Sequence, residues 1–229
     1  AMVDAAIGGK TGVDLPEGKN LLGAFHQPRA VVCDMALLAS LPEAEWRNGM
    51  AEVIKTAIVG DAALFAELVS ASSTLEALRT DYARSAEVVR RCVEVKGGIV
   101  MRDERESGER MQLNAGHTIG HAIEAASHYR LPHGQAVAIG LALEARVAQQ
   151  LGLADASFVA DLDRLLAHYG LPTTPPDDLV NMAQPFLRFD KKRHAGKTRY
   201  ALPCAPGSVR VVDDVDAAVV EAVLLGKAG

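Results

Sequence analysis

Three side chains in this sequence, Glu52, His117 and His133, are of the kinds that bind a catalytic metal. Together they make a two-histidine, one-carboxylate set. Three protein ligands leave zinc an open position for water or substrate, which is the catalytic rather than the structural arrangement. Each comes from an oddly polar place. In LNAGHTIGHAIE, residues 113–124, Asn114, His117, His121 and Glu124 stand at spacings of three, four and three, so they share one stripe of an expected helix. Arg110 extends that stripe if the helix begins early. In the helix expected over 43–59, Glu45, Asn48, Glu52 and Lys55 repeat the same spacings amid Met50, Val53, Ile54, Ala57 and Ile58. Two such stripes can face each other across one pocket. His133 opens HGQAVAIGLAL, a segment so apolar that its polar first residue needs a specific target.

Spacing alone leaves plainer readings open. His117 and His121 also fit hydrogen-bonded, half-buried histidines, and Glu52 fits an i, i+3 ion pair with Lys55. Gly116 and Gly120, four apart, are most simply explained by close helix packing. A second set is basic: Lys10 after a Gly-Gly turn, Lys19 with Asn20 after Gly18, Lys96 amid Val88, Cys92, Val95 and Ile99, and Lys191-Lys192-Arg193. Taken singly, each suits a solvated side chain. GGKT lacks the earlier glycine of a phosphate-binding P-loop, so a nucleotide hydrolase is a poor fit.

The elements that must position these groups are mostly helical, over 43–59, 61–71, 84–102, 112–127, 133–152, 155–168 and 177–188. TRYALP and SVRVV suit a terminal pair of strands, followed by a closing helix at DAAVVEAVLLG. Residues 1–30 read as loops, and AVVCD (30–34) as a short strand. Ser40 can cap the first helix, with Pro42 just inside its start. A domain boundary is therefore placed near Pro42, between residues 1–43 and 44–229.

Bulk properties exclude several classes. The net charge of −5 argues against general nucleic-acid or membrane-surface binding, so an anionic ligand must be met by a local cation cluster. Three scattered cysteines without CxxC spacing indicate neither a disulfide framework nor a cysteine zinc site, and suit a reducing cytoplasm. No apolar run is long enough to span a membrane, and AMVDAAIGGK lacks the regions of a signal peptide.

The stretches DAAIGGKTGVDLPEGKN, GAFHQP, SLPEAEW, GMAEVIK, DERESGERMQLNAGHTIGHAIE, HGQAVAIG and FDKK, in this order, closely resemble the 3-dehydroquinate synthase family of sugar phosphate cyclases. The resemblance implies zinc, with cobalt also suited, at Glu52, His117 and His133. It implies proton transfer by His121, with Lys55 and Asn114 also catalytic. Substrate contacts are implied for Asp4, Lys10, Asn20, Lys55, Lys96, Arg110, Asn114, His121 and, of the Lys191-Lys192 pair, Lys191. It further implies NAD bordered by Lys10, Lys19, Leu37, Leu38, Ala39 and Ser40, a sugar phosphate substrate and a homodimer. Ala5 and Ala6 depart from the small hydroxyl residues frequent in the family.

The fold implied is the mainly helical C-terminal domain of such an enzyme, with a small β element and the trailing edge of an α/β nucleotide-binding domain. No GxGxxG lies between a strand and a helix, so a missing N-terminal segment is expected to supply the sheet and the nucleotide site. The rival expectations are another sugar phosphate cyclase, a metal-dependent alcohol or glycerol dehydrogenase, and a non-catalytic metal-binding helical module.

Overall fold

Helix α1 (Glu43–Gly60) is buried without interruption from Met50 to Val59, the polar Glu52, Lys55 and Thr56 included. Glu43 and Glu45 lie in its first turn, where the positive end of the helix dipole favours carboxylates. The cap position is Pro42. Ser40, expected to cap α1, instead ends a 3-10 turn (Met35–Ser40) and donates to the Leu37 carbonyl. Helices α2 (Ala62–Val69), α3 (Leu75–Thr80) and α4 (Tyr82–Arg102) follow, started by Asp61, Thr74 and Asp81, whose side chains accept N–H groups of Leu64, Ala77 and Arg84. The short α3 has no counterpart among the expected helices, because six residues carry too little periodicity.

The computed structural model describes residues 1–15, 18–70, 73–193, 198–213 and 215–227, with backbone only for 14, 15, 18–21 and 188–193. Helix α5 (His117–Ala126) packs against α6 (His133–Gln150), which is buried along almost its whole length. Then come α7 (Ala156–His168) and α8 (Asp177–Arg193), which runs past the expected end at 188 and through Pro185. A terminal antiparallel hairpin, β3 (Arg199–Ala205) with β4 (Ser208–Asp213), and helix α9 (Ala217–Leu224) match expectation. One core cluster surrounds α1 and includes α2 and α7; a second lies between α5, α6, α8, β3 and α9. The site elements α1, α5 and α6 thus sit between two packed cores.

Three local expectations are corrected. The helix expected over 112–127 is broken: Glu109–Asn114 is a 3-10 turn, Gly116 takes the left-handed φ of 77°, and α5 begins only at His117. Asn114 therefore reaches the site from a separate turn, which also carries Arg110. Residues 1–30 are not all loop, since β1 (Lys10–Leu15) and β2 (Gly18–Phe25) form a hairpin with Lys10 opposite Phe25. AVVCD is irregular rather than a strand, with Val32 88% exposed. Among the described residues both sheets are two-stranded hairpins, and no helix is long and apolar enough to cross a membrane.

Candidate metal centre and active site

Helix α1 delivers Glu52, the first turn of α5 delivers His117, and the first residue of α6 is His133. Their ligand atoms lie within 4.8 Å of one another. Oε1 of Glu52 is 3.3 Å from Nε2 of His133 and 3.7 Å from Nε2 of His117. The outer ring nitrogens are turned away: Nδ1 of His117 meets the Ala115 carbonyl at 3.1 Å, and Nδ1 of His133 meets Oε2 of Glu124 at 3.4 Å. This leaves both Nε2 atoms facing the carboxylate. The close approach of α1 to α6 depends on Gly134, where a Cβ would come within 2.3 Å of the Asn48 carbonyl oxygen.

His121, Glu124 and His133 form a second cluster of metal-type groups. Geometry separates the two sets. Glu124, 2% exposed, engages the outer nitrogen of His133, so it orients a ring of the first set. His121 is exposed, its ring 5.0 Å from that of His117 and 5.8 Å from that of His133. The donor chemistry of Glu52, His117 and His133 fits zinc or cobalt, two imidazoles and a carboxylate with room for a fourth ligand.

Charges behind this set are paired. Lys55, 2% exposed, reaches Oε2 of Glu52 at 2.6 Å and Oδ1 of Asp4 at 3.0 Å. Lys96 holds the same Asp4 oxygen at 2.9 Å and donates to the Asp4 carbonyl at 2.7 Å. Burial pushes the Glu52 carboxyl up, but Lys55 and the two imidazoles pull it well below the usual range. Burial alone would lower the Lys55 ammonium, yet Glu52 and Asp4 raise it. Lys96 is lowered because burial outweighs Asp4. Burial, assisted by Lys55, takes His117 down to about 3, whereas hydrogen bonding to Glu124 and Glu52 takes His133 up to about 9.

Above the histidines opens a cavity of about 530 Å³ lined by Lys10, Arg105, Asn114, His117, His121 and Arg199, among others. Lys10 pairs with Glu106, which also accepts Asn114 Nδ2 at 2.6 Å. Glu106 sits at φ 60°, a strained backbone of the kind held at functional sites. Arg110 is placed differently from a simple anion anchor. It is 1% exposed, its guanidinium donating to the carbonyls of Gly8 at 2.7 Å and Glu104 at 2.5 Å, with Phe25 against its face. Leu37, Leu38, Ala39 and Ser40 are outside this cavity; Leu38 lines a small apolar one with Trp46 and Val53. The side chains of Lys19, Asn20 and Lys191 lie outside the described residues.

Sequence reasoning missed Arg105, Glu106 and Arg199 as cavity residues. Arg105 and Glu106 stood within DERESGER, but only the irregular connection between α4 and the 3-10 turn brings them to the cavity. Arg199 had no signal beyond its place at the head of a strand. Its Nε holds Asp213 at 3.1 Å and its Nη1 touches Met111 Sδ at 3.3 Å.

This fold is shared with solved synthase structures. The structure superposes with a TM-score of 0.89 on a 2-epi-5-epi-valiolone synthase from Streptomyces hygroscopicus subsp. jinggangensis 5008, solved with NAD+ and Zn2+ bound; the two are 31% identical over 99% of this chain and 63% of that one. A 2-deoxy-scyllo-inosose synthase complexed with carbaglucose-6-phosphate, NAD+ and Co2+ has a TM-score of 0.83 at 23% identity, over 98% of this chain and 63% of that one, and speaks for the fold alone. Residues 1–48 match the family profile of the 3-dehydroquinate synthase N-terminal part and residues 49–193 that of its C-terminal part. The chain belongs to the 3-dehydroquinate synthase family. It is 46% identical to the 3-dehydroquinate synthase of Xylella fastidiosa (strain M23) over 98% of its own length, and spans 62% of the length of that relative.

Proposed function

We propose that this chain carries the metal- and substrate-binding part of a 3-dehydroquinate synthase, acting on 3-deoxy-D-arabino-heptulosonate 7-phosphate to give 3-dehydroquinate and phosphate. The supporting observation is the convergence of Glu52 Oε1, His117 Nε2 and His133 Nε2 beside a cavity that His117 lines together with Lys10, Asn114, His121 and Arg199. When bound, the metal supplies Lewis-acid polarisation of a substrate hydroxyl and NAD+ supplies the hydride acceptor. Glu52, His117 and His133 hold the metal, and Glu124 orients His133.

The remaining residues bind and orient a polyanion. Lys10, Arg105 and Arg199 put positive charge at the cavity wall, so a net-acidic chain can take a phosphate and a carboxylate there. Asn114 and Glu106 offer a donor and an acceptor for hydroxyls, and exposed His121 is the group placed to exchange a proton with bound substrate. Lys55 stays an ammonium, held by Glu52 and Asp4, and fixes the carboxylate that faces the metal. Arg110 supports the site by tying the Gly8 turn, and with it Lys10, to the turn that carries Asn114. By family resemblance the assembly is a homodimer in a reducing cytoplasm.

The test joins this chain to the N-terminal part of a 3-dehydroquinate synthase and measures phosphate release. Release from the heptulosonate phosphate, with dehydroquinate formed, supports the proposal. A second reading, another sugar phosphate cyclase, draws on the 0.89 match to the valiolone synthase. Turnover only of a sugar phosphate lacking the carboxylate would favour it.

A further inference from the structure

Glu144 belongs to no motif and plays no part in the chemistry above, yet it is fully buried, at 0% exposure. It lies on α6 about three turns beyond His133. Its Oε2 accepts the Gly116 N–H at 2.6 Å and its Oε1 accepts the Ile119 N–H at 3.0 Å. These amides bracket His117 and belong to the open first turn of α5, which lacks partners inside its own helix. A Ser, Thr, Asp or Asn ordinarily caps such a turn from within the chain. Here the cap position is Gly116, which has no side chain, so the cap comes from the neighbouring helix. The helices can approach this closely because residue 140 is also glycine: a Cβ there would lie 1.8 Å from the Gly116 carbonyl oxygen.

We infer that Glu144 is a positioning residue for the metal centre: it clamps the turn 116–119 onto α6 and so holds His117 Nε2 in register with His133 Nε2 and Glu52 Oε1. Helix α6 then sets both histidines, one as its own first residue and the other through Glu144. Removing the carboxylate leaves two buried N–H groups without acceptors and frees the turn that aims His117. The inference rests on the metal-binding proposal above.

Cobalt titration of the metal-free 229-residue chain, followed by visible absorbance, tests it. Glu144→Ala is expected to weaken Co2+ binding about 10- to 100-fold, the range for losing a partner that orients a ligand, and to change the position and intensity of the Co2+ bands. Glu144→Gln, which keeps the size and one acceptor oxygen, should fall between Ala and wild type. Leu162→Ala, in the core of α7, serves as a stability control that lowers the melting temperature but keeps wild-type affinity and spectrum. Wild-type affinity and spectrum in Glu144→Ala, or in Glu144→Gln should the alanine variant not fold, would overturn the role. Failure of the wild-type chain itself to bind Co2+ would instead remove the metal proposal, and this role with it.

Discussion

Nδ1 of His133 lies 3.4 Å from Oε2 of Glu124, while Nε2 of the same ring lies 3.3 Å from Oε1 of Glu52. One carboxylate holds the back of the imidazole and another faces its front. Such outer carboxylates fix ring orientation and raise ligand basicity. Glu124→Gln should therefore weaken metal affinity by about 10-fold and Glu124→Ala by up to about 100-fold, read by competition with a chelator. Unchanged affinity in both would mean that His133 is oriented by packing alone.

A single divalent metal is expected at Glu52, His117 and His133. Elemental analysis of purified chain should give one ion per chain in the wild type and loss of it in His133→Ala. Full retention in that variant would move the ion elsewhere, with His121 and Glu124 the next donors to test.

Asp4 holds two buried ammonium groups, Lys55 at 3.0 Å and Lys96 at 2.9 Å. Removing its charge leaves both cations short of a partner. Because Asp4 is itself 26% exposed, the cost of Asp4→Asn should sit below that of a fully buried pair, at about 1–3 kcal/mol. Denaturant unfolding of the metal-free chain measures it. A loss within error would show that water replaces the carboxylate.

His133, raised to about 9 by Glu124 and then Glu52, is an imidazolium at neutral pH in the metal-free chain. A metal accepts only the neutral ring, so binding near pH 7.5 should release about one proton, and affinity should rise as pH climbs toward 9. For the metal-free fold the sign is opposite. A raised pKa contributes stability that is complete below about 6.5 and is lost as pH rises through about 9. Calorimetry in buffers of different ionisation enthalpy counts the protons. A count near zero at pH 7.5 would place His133 in its neutral form.

Among the described residues no βαβ unit is present, and the sheets are two antiparallel hairpins. A dinucleotide normally needs such a unit to meet its pyrophosphate. Calorimetric titration of the 229-residue chain with NAD+ should show no micromolar binding and no dehydroquinate formation. Tight binding without added polypeptide would refute this.

Much of the site was legible because helical spacing is a local property. Glu52 and Lys55 on α1 stand where a 3.6-residue period puts them, and His117 and His121 do so on α5. The same rule failed for Asn114 and Arg110, since the expected helix is interrupted at Gly116, whose left-handed φ starts a new element in a different direction. AVVCD has strand-type residues but no partner strand among the described residues, so its β-propensity finds no ladder to join.

Residue types, their periods and the motif order were enough to determine a mainly helical chain of this family and to name Glu52, His117 and His133 together as candidate metal ligands. Only the tertiary structure decided that Glu124 backs His133, that Arg110 is spent on the Gly8 and Glu104 carbonyls, that Arg105 and Arg199 face the cavity, and that Glu144 caps a helix not its own. Those contacts join residues from separate elements across the packed helices. Which partner a buried polar group finds depends on how closely those helices approach, and that is set by side-chain volumes and glycines on several helices at once.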